Sequence, residues 1–245
     1  MIERAPIETA MILAAGLGQR MRPLTDSRPK ALVEVAGRSL IDRTLDRLEA
    51  VGVKTCVVNT HHLAAMLRRH LATRKTPEIV FSPEDILLET GGGVKHALPL
   101  LGDAPFYVAN CDSLWLDGPS PTLQLMARLW DPTRMDALLL LHPTISAIGY
   151  DGIGDYFMEA DGMLRRRIEE YVAPFVFTGV QILSPALFKG APDGAFSVRD
   201  LYDRAQEAGR LFGVRHDGLW FHVGTPDSVG LAEEFIAGPK PRDRA

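Results

Sequence analysis

Residues Met11 to Lys30, MILAAGLGQRMRPLTDSRPK, constrain this chain more than any other stretch. A short apolar run, Ala10 to Ala15, passes straight into a turn that carries Gly16 and Gly18. Arg20 and Arg22 follow, then Pro23, and Lys30 stands ten residues beyond Arg20. Glycine lets a backbone turn tightly and approach a ligand without a Cβ in the way. Consecutive N–H groups exposed in such a turn form a nest for an anion. Arginine adds a planar fork that matches phosphate oxygens, and lysine a compact, mobile charge. The stretch reads as a polyphosphate cradle at the end of a first strand.

Spacing separates three kinds of phosphate loop. A Walker-type loop needs G-x-x-x-x-G-K-[ST], which does not occur here. The dinucleotide fingerprint needs Gly or Ala where Met21 stands, although Glu34 lies where that fold places its ribose-binding acid. The third pattern is L-A-A-G-x-G-x-R-[ML] followed ten residues after the Arg by Lys, and it resembles the signature of the sugar-1-phosphate nucleotidyltransferases. The resemblance implies nucleotide contacts at Ala14, Ala15, Gly16, Gly18, Gln19, Arg20 and Lys30, with Arg20 and Lys30 as the catalytic cations.

Periodicity gives the order of elements. Ser39 can cap a helix whose Leu40, Ile41, Thr44, Leu45 and Leu48 share one face and which Gly52 stops. Thr55 to Val58 reads as a second strand, Leu63 to Leu71 as a helix and Glu78 to Phe81 as a third strand. Gly92 to Leu101 suits a helix with Gly91 to Gly93 at its entrance, and Phe106 to Ala109 a buried strand ending at Asn110-Cys111-Asp112. This alternation predicts an α/β fold with a largely parallel, Rossmann-like sheet and right-handed crossovers. Ligands in such sheets bind beyond the carboxyl ends of the strands, which places Gly16 and Asp112 at one edge.

The second half is mixed. Ala137 to Leu141 is a core strand, and Asp155 to Glu159 with Leu164 to Ile168 forms a hairpin around Ala160-Asp161-Gly162. Phe175 to Ile182 is another strand, and Ser197 to Ala208 a helix closed by Gly209. Leu211 to Val214 and Trp220 to Val223 read as short strands, and Pro226 to Ile236 as a last helix capped by Thr225. The expectation is a single domain over 1–245. Residues 1–116 form mainly its nucleotide half, 117–238 mainly a mixed-β sugar half, and Pro239 to Ala245 a fraying tail.

Further clusters bear on chemistry. Leu88-Glu89-Thr90-Gly91-Gly92-Gly93 gives exposed N–H groups at a helix start and room for a flat ring. The form L-E-T-G-G-G resembles the short N-acetylmuramate-1-phosphate uridylyltransferases of cell-wall recycling, in which the corresponding loop contacts the base, so Glu89 and Gly92 join the nucleotide site. Asp112 at a strand end suits Mg²⁺, which takes one or two carboxylates plus phosphate oxygens. Cys111 stands where the family has Gly, and Asn110 matches a substrate-contacting Asn. Trp220-Phe221-His222-Val223-Gly224-Thr225 matches a W-x-D-x-G-T element whose Asp is the second metal ligand, and His222 takes that place. Imidazole can ligate a metal but is softer than carboxylate and uncharged. On the sugar side the resemblance implies Gly154, Asp155, Glu170 and Gly179. The E-K-P element of larger relatives is absent, since Glu169-Glu170 lacks its Lys. His61-His62 and Arg165-Arg166-Arg167 read as surface features, with a sugar-phosphate contact left open for one of the arginines.

Composition excludes more than it selects. A net charge of −4 on 245 residues argues against a nucleic-acid surface, so any basic patch is local. Cys56 and Cys111 make neither a metal spacing nor a disulfide framework and read as small buried residues in a reducing compartment. No apolar run reaches membrane-spanning length, and the polar start is no signal peptide. The expectation is a cytoplasmic enzyme, monomer or homodimer, that binds no nucleic acid or membrane. It transfers a nucleotidyl group, uridylyl first, to a sugar 1-phosphate with Mg²⁺ as cofactor. Guanylyl transfer to mannose 1-phosphate or nucleotidyl transfer to glucose 1-phosphate is the alternative substrate choice. A nucleotide-sugar sensor and a nicotinamide oxidoreductase stay open as alternatives of other classes.

Overall fold

A computed structural model describes residues 5–237; the tail expected to fray lies outside them. The first strand, β1 (Thr9–Leu13), buries its three central residues and delivers the chain into the glycine loop. A two-residue ribbon, β2 (Glu34–Val35) and β3 (Arg38–Ser39), precedes α1 (Leu40–Ala50). Ser39 Oγ caps α1 by accepting the Asp42 N–H at 3.2 Å, and the five predicted residues form its buried face. Then follow β4 (Thr55–Thr60), α2 (Ala64–Leu71), β5 (Glu78–Pro83), α3 (Glu89–Leu101) and β6 (Phe106–Asn110). These elements lie where periodicity places them, and β5-β4-β1-β6 run parallel.

The chain continues through β7 (Ser113–Leu116), α4 (Thr122–Leu129), β8 (Ala137–Pro143), β9 (Tyr156–Met158) and β10 (Leu164–Arg166). The nine-residue β11 (Phe175–Leu183), α5 (Arg199–Glu207), β12 (Leu211–Arg215), β13 (Leu219–His222) and α6 (Pro226–Ala237) complete it. β11 joins the halves, pairing antiparallel with β8 along one edge and, along the other, with β9 of the β9–β10 hairpin at Phe175 and with β6 from Val180 to Leu183. The result is one nine-stranded sheet, parallel in its first half and mixed beyond β6. Four elements escaped the sequence reading, the two strands of the β2–β3 ribbon, β7 and α4. β7 pairs with β13 outside the main sheet, setting His222 opposite Ser113 and therefore beside Asp112. Thr225 caps α6 as expected, accepting the Ser228 N–H at 3.3 Å. No helix among the described residues is long and apolar enough to cross a membrane.

The triple glycine is not a loop at a helix entrance. α3 begins at Glu89 and takes in all three glycines, which are buried. The Gly91 and Gly92 N–H groups both donate to Phe196 O, at 2.9 and 3.1 Å, so neither is free for a ligand. The reason for glycine here is close packing. A Cβ on Gly91 would enter the Phe196 ring, and one on Gly92 would strike the Gly194 carbonyl oxygen. Overpacking of this kind costs about 1–3 kcal/mol, more than the gain of about 1 kcal/mol from alanine's helix propensity. Gly92→Ala is therefore expected to lower the urea midpoint. Gly230→Ala in α6, where a Cβ meets nothing within 4 Å, is expected to raise it. Equal midpoints for Gly92→Ala and wild type would remove the packing argument.

Candidate active site

The glycine loop leaves β1 and folds back on itself. Gly18 is left-handed (φ 65°), and its carbonyl accepts both the Met21 N–H at 2.9 Å and the Thr25 hydroxyl at 2.8 Å. That reversal brings Lys30 beside the loop, where a Cβ on Gly18 would lie 3.1 Å from the lysine Cβ. Gly16 to Met21 and Lys30 together wall an open recess of about 400 Å³. Arg20 is exposed there. Lys30, only 14% exposed, pairs with Asp112 Oδ2 at 2.5 Å across the sheet edge. Of the predicted nucleotide residues, Gly16, Gly18, Gln19, Arg20 and Lys30 thus converge, and Ala15 lines the adjoining cleft. Ala14 differs: it is buried and its N–H is committed to Asn59 Oδ1 at 2.6 Å.

The adjoining cleft, about 460 Å³, runs from Lys30 and Asp112 past Glu89 and Thr90. Its floor holds two residues the sequence reading passed over, Asn59 and Glu84, at the carboxyl ends of β4 and β5. Glu84 is a buried carboxylate that accepts from Asn59 Nδ2 at 2.7 Å and from the Leu88 N–H at 3.1 Å. An acid held at the start of α3 satisfies a free helix N–H and meets the favourable end of the dipole. The Ala14–Asn59–Glu84–Leu88 chain fixes β1, β4, β5 and α3 relative to one another. Asn59 and Glu84 carry no motif spacing; their only signal was position at a strand end.

A second cleft of about 430 Å³ continues beyond Asn110, sharing Leu13, Thr90, Asn110 and Ser197 with the first. Asp155 lines it and accepts the Phe177 N–H at 2.9 Å. Gly154 and Gly179 are buried beneath rather than on its surface, Gly179 against Asn110 and Ser113. Glu169 lines this cleft; Glu170, the residue expected there, is exposed and outside the lining. Arg166 and Arg167 correct the surface reading, since both line the cleft. His61 also departs from a free surface residue, its Nδ1 lying 2.8 Å from Glu84 O.

His222 is half-buried, its ring edge-on to Tyr150 with centroids 5.9 Å apart. Burial holds its pKa below the ordinary histidine value. Asp112 and Asp151 oppose that shift, and the Arg20 and Lys30 cations reinforce it. The neutral imidazole, the form able to ligate a metal, is favoured near neutral pH. Cys111 and Cys56 are buried, and burial pushes both thiols up to about 12, which makes them the inert apolar residues expected.

Comparison with known proteins follows the same lines. Residues 10–145 match the family model of the MobA-like NTP transferase domain. The chain is 48% identical to the N-acetylmuramate alpha-1-phosphate uridylyltransferase of Caulobacter vibrioides over 96% of its own length and 99% of that protein's. The chain belongs to the sugar-1-phosphate nucleotidyltransferases. The enzyme of the same name from Neisseria meningitidis serogroup B is 36% identical, covering 88% of this chain and 93% of that one. The fold superposes on a crystal structure of UDP-glucose pyrophosphorylase complexed with UDP-glucose with a TM-score of 0.79. There the identity is 16%, over 94% of this chain and 98% of that one, which speaks for the fold alone. Membership of this nucleotidyltransferase family replaces both the sensor and the oxidoreductase alternatives. Glu34 adds a structural reason against the latter, lying in the small β2–β3 ribbon and not at the end of a strand of the main sheet.

Proposed function

We propose that this nucleotidyltransferase moves the uridylyl group of UTP onto N-acetylmuramate 1-phosphate, giving the UDP-sugar and pyrophosphate. The observation that carries the reading is end-to-end identity of 48% with an enzyme named for that transfer. The arrangement of two continuous clefts supports it, with the Lys30–Asp112 pair at the wall of the first. In this reading residues 1–116 hold mainly the nucleotide and 117–238 mainly the sugar, and the reaction serves reuse of cell-wall sugar in the cytoplasm.

The chemistry is mainly positioning and charge neutralisation. A phosphate monoester is largely dianionic near pH 7, so the nucleophile needs no general base. One of its oxygens attacks the α-phosphorus of UTP, and the bond from that phosphorus to the bridging oxygen breaks. Pyrophosphate leaves with the electron pair. Gly16 to Gln19 and Arg20 bind the β- and γ-phosphates and stabilise that leaving group. Lys30 neutralises the α-phosphate and the incoming sugar phosphate. Asn110 and Asp155 orient the sugar.

The donor set fits Mg²⁺. One carboxylate, Asp112, stands at the strand end, and His222, with no side-chain hydrogen bond among the described residues, is held neutral beside it. Substrate phosphates would supply the further oxygen ligands that Mg²⁺ prefers. Bound by Asp112 and His222, the ion would add charge neutralisation where phosphate groups meet.

Pyrophosphate release across a matrix of UTP, GTP, CTP and TTP against several sugar 1-phosphates tests the substrate. The highest kcat/KM is expected for UTP with N-acetylmuramate 1-phosphate. A clear maximum for GTP with mannose 1-phosphate would replace the proposal.

A further inference from the structure

The sugar cleft carries three arginines, Arg166, Arg167 and Arg199, and two of them are already occupied. Arg166 pairs with Asp203 at 3.1 Å. Arg167 donates through Nε to Gly154 O at 3.0 Å and through Nη1 to the Glu169 carbonyl at 3.0 Å, which shapes the loop. Arg199, the first residue of α5, makes no side-chain hydrogen bond or ion pair among the described residues. Its charge reaches Asp203 and Tyr156 only at a distance.

A second unmet donor lies on the same wall. Gln181 is 1% exposed, and its side-chain carbonyl accepts the Tyr202 hydroxyl. The NH₂ group makes no hydrogen bond among the described residues, and Gln181 lines the cleft. Tyr202 stands one turn after Arg199 on the same face of α5, so one helix aims both donors. A nine-tenths-buried amide donor and a guanidinium with no hydrogen bond or ion pair among the described residues, both on the lining of one cleft, call for an acceptor and an anion. Asp155 and Glu169, the acids on the lining, suit sugar hydroxyls instead.

N-Acetylmuramate differs from N-acetylglucosamine by a lactyl ether whose carboxylate is ionised at neutral pH. We propose that Arg199 binds this lactyl carboxylate and so selects the muramic sugar, with the Gln181 amide taking a neighbouring oxygen of the same substrate. The inference rests on the substrate reading given above. A neutral hexosamine leaves Arg199 without a partner, whereas the carboxylate gains a charge-assisted, bidentate contact in a cleft that the sugar has emptied of water.

The test is kcat/KM for N-acetylmuramate 1-phosphate divided by that for N-acetylglucosamine 1-phosphate, in wild type, Arg199→Gln and Arg199→Lys. Loss of one hydrogen-bonded charge pair corresponds to roughly 10- to 100-fold. The ratio is expected to fall by about that factor in Arg199→Gln and by less in Arg199→Lys. Affinities for the UDP-sugars made from the two substrates, measured by calorimetry, are expected to converge in parallel. Arg199 is exposed, so both variants are expected to fold, which UTP binding checks. An unchanged ratio in Arg199→Gln, or a wild type that treats both sugars alike, overturns the carboxylate assignment while leaving uridylyl transfer standing. A wild type inactive on N-acetylmuramate 1-phosphate removes the substrate reading itself and the assignment with it.

Discussion

Replacing Lys30 by Ala is expected to lower kcat by roughly 10²–10³ with the chain still folded, and Arg20→Ala to do so on a similar scale. Both cations are positioned before substrate arrives. Lys30 is held by Asp112 at 2.5 Å, so little reorganisation is needed when charge develops on the phosphates. Arg20 stands exposed in the short turn Gln19–Met21, anchored from below by the buried Met21. Neither side chain belongs to the core, which is why stability is expected to be spared. The two variants differ in what they leave behind. Arg20→Ala removes a charge from an open recess, whereas Lys30→Ala also strips Asp112 of its partner. Steady-state pyrophosphate release, with thermal unfolding as the control for folding, measures both. Wild-type turnover in either variant would strip that residue of its phosphate role.

The fold was legible wherever a surface was half buried. α1 repeats its apolar residues at helical spacing between Ser39 and Gly52, and the parallel strands β1, β4 and β6 are short apolar or β-branched runs. β7 and α4 were not, because Asp117-Gly118-Pro119-Ser120-Pro121 looks like an extended turn and hides a two-turn helix behind it. The phosphate loop was legible because backbone geometry, glycine placement and charge must coincide within one segment.

The sugar cleft resisted reading because long-range pairing assembles it. Arg166, Arg199 and Gln181 come from β10, α5 and β11, three elements with no shared local pattern. Glycine was misread for a related reason. A sequence signals that a side chain is absent but not what fills the space, and at Gly91 and Gly92 the occupant is the 194–196 segment of this chain.

Asp112→Asn is expected to reduce activity by roughly 10²–10³ at Mg²⁺ concentrations that saturate wild type, with part of the loss recovered at higher Mg²⁺. Asparagine preserves shape and can still accept from Lys30, so the change isolates the negative charge. His222 separates two ways of completing such a site. β13 and β7 place it opposite Ser113, next to Asp112, with no side-chain hydrogen bond among the described residues and the neutral form favoured. If it ligates, His222→Ala raises the Mg²⁺ concentration needed for half-maximal activity. His222→Asp lowers that concentration, because a hard carboxylate replaces a softer nitrogen. Wild type is then also expected to accept Mn²⁺ or Co²⁺ in place of Mg²⁺ more readily than His222→Asp does. His222 packs over Gly224, where an added Cβ would lie 2.8 Å from its Nε2, and the smaller aspartate fits within the space the imidazole occupies. Superimposable Mg²⁺ curves for wild type, His222→Ala and His222→Asp would make the imidazole a packing partner of Tyr150 and Trp220 and leave Asp112 as the sole protein ligand.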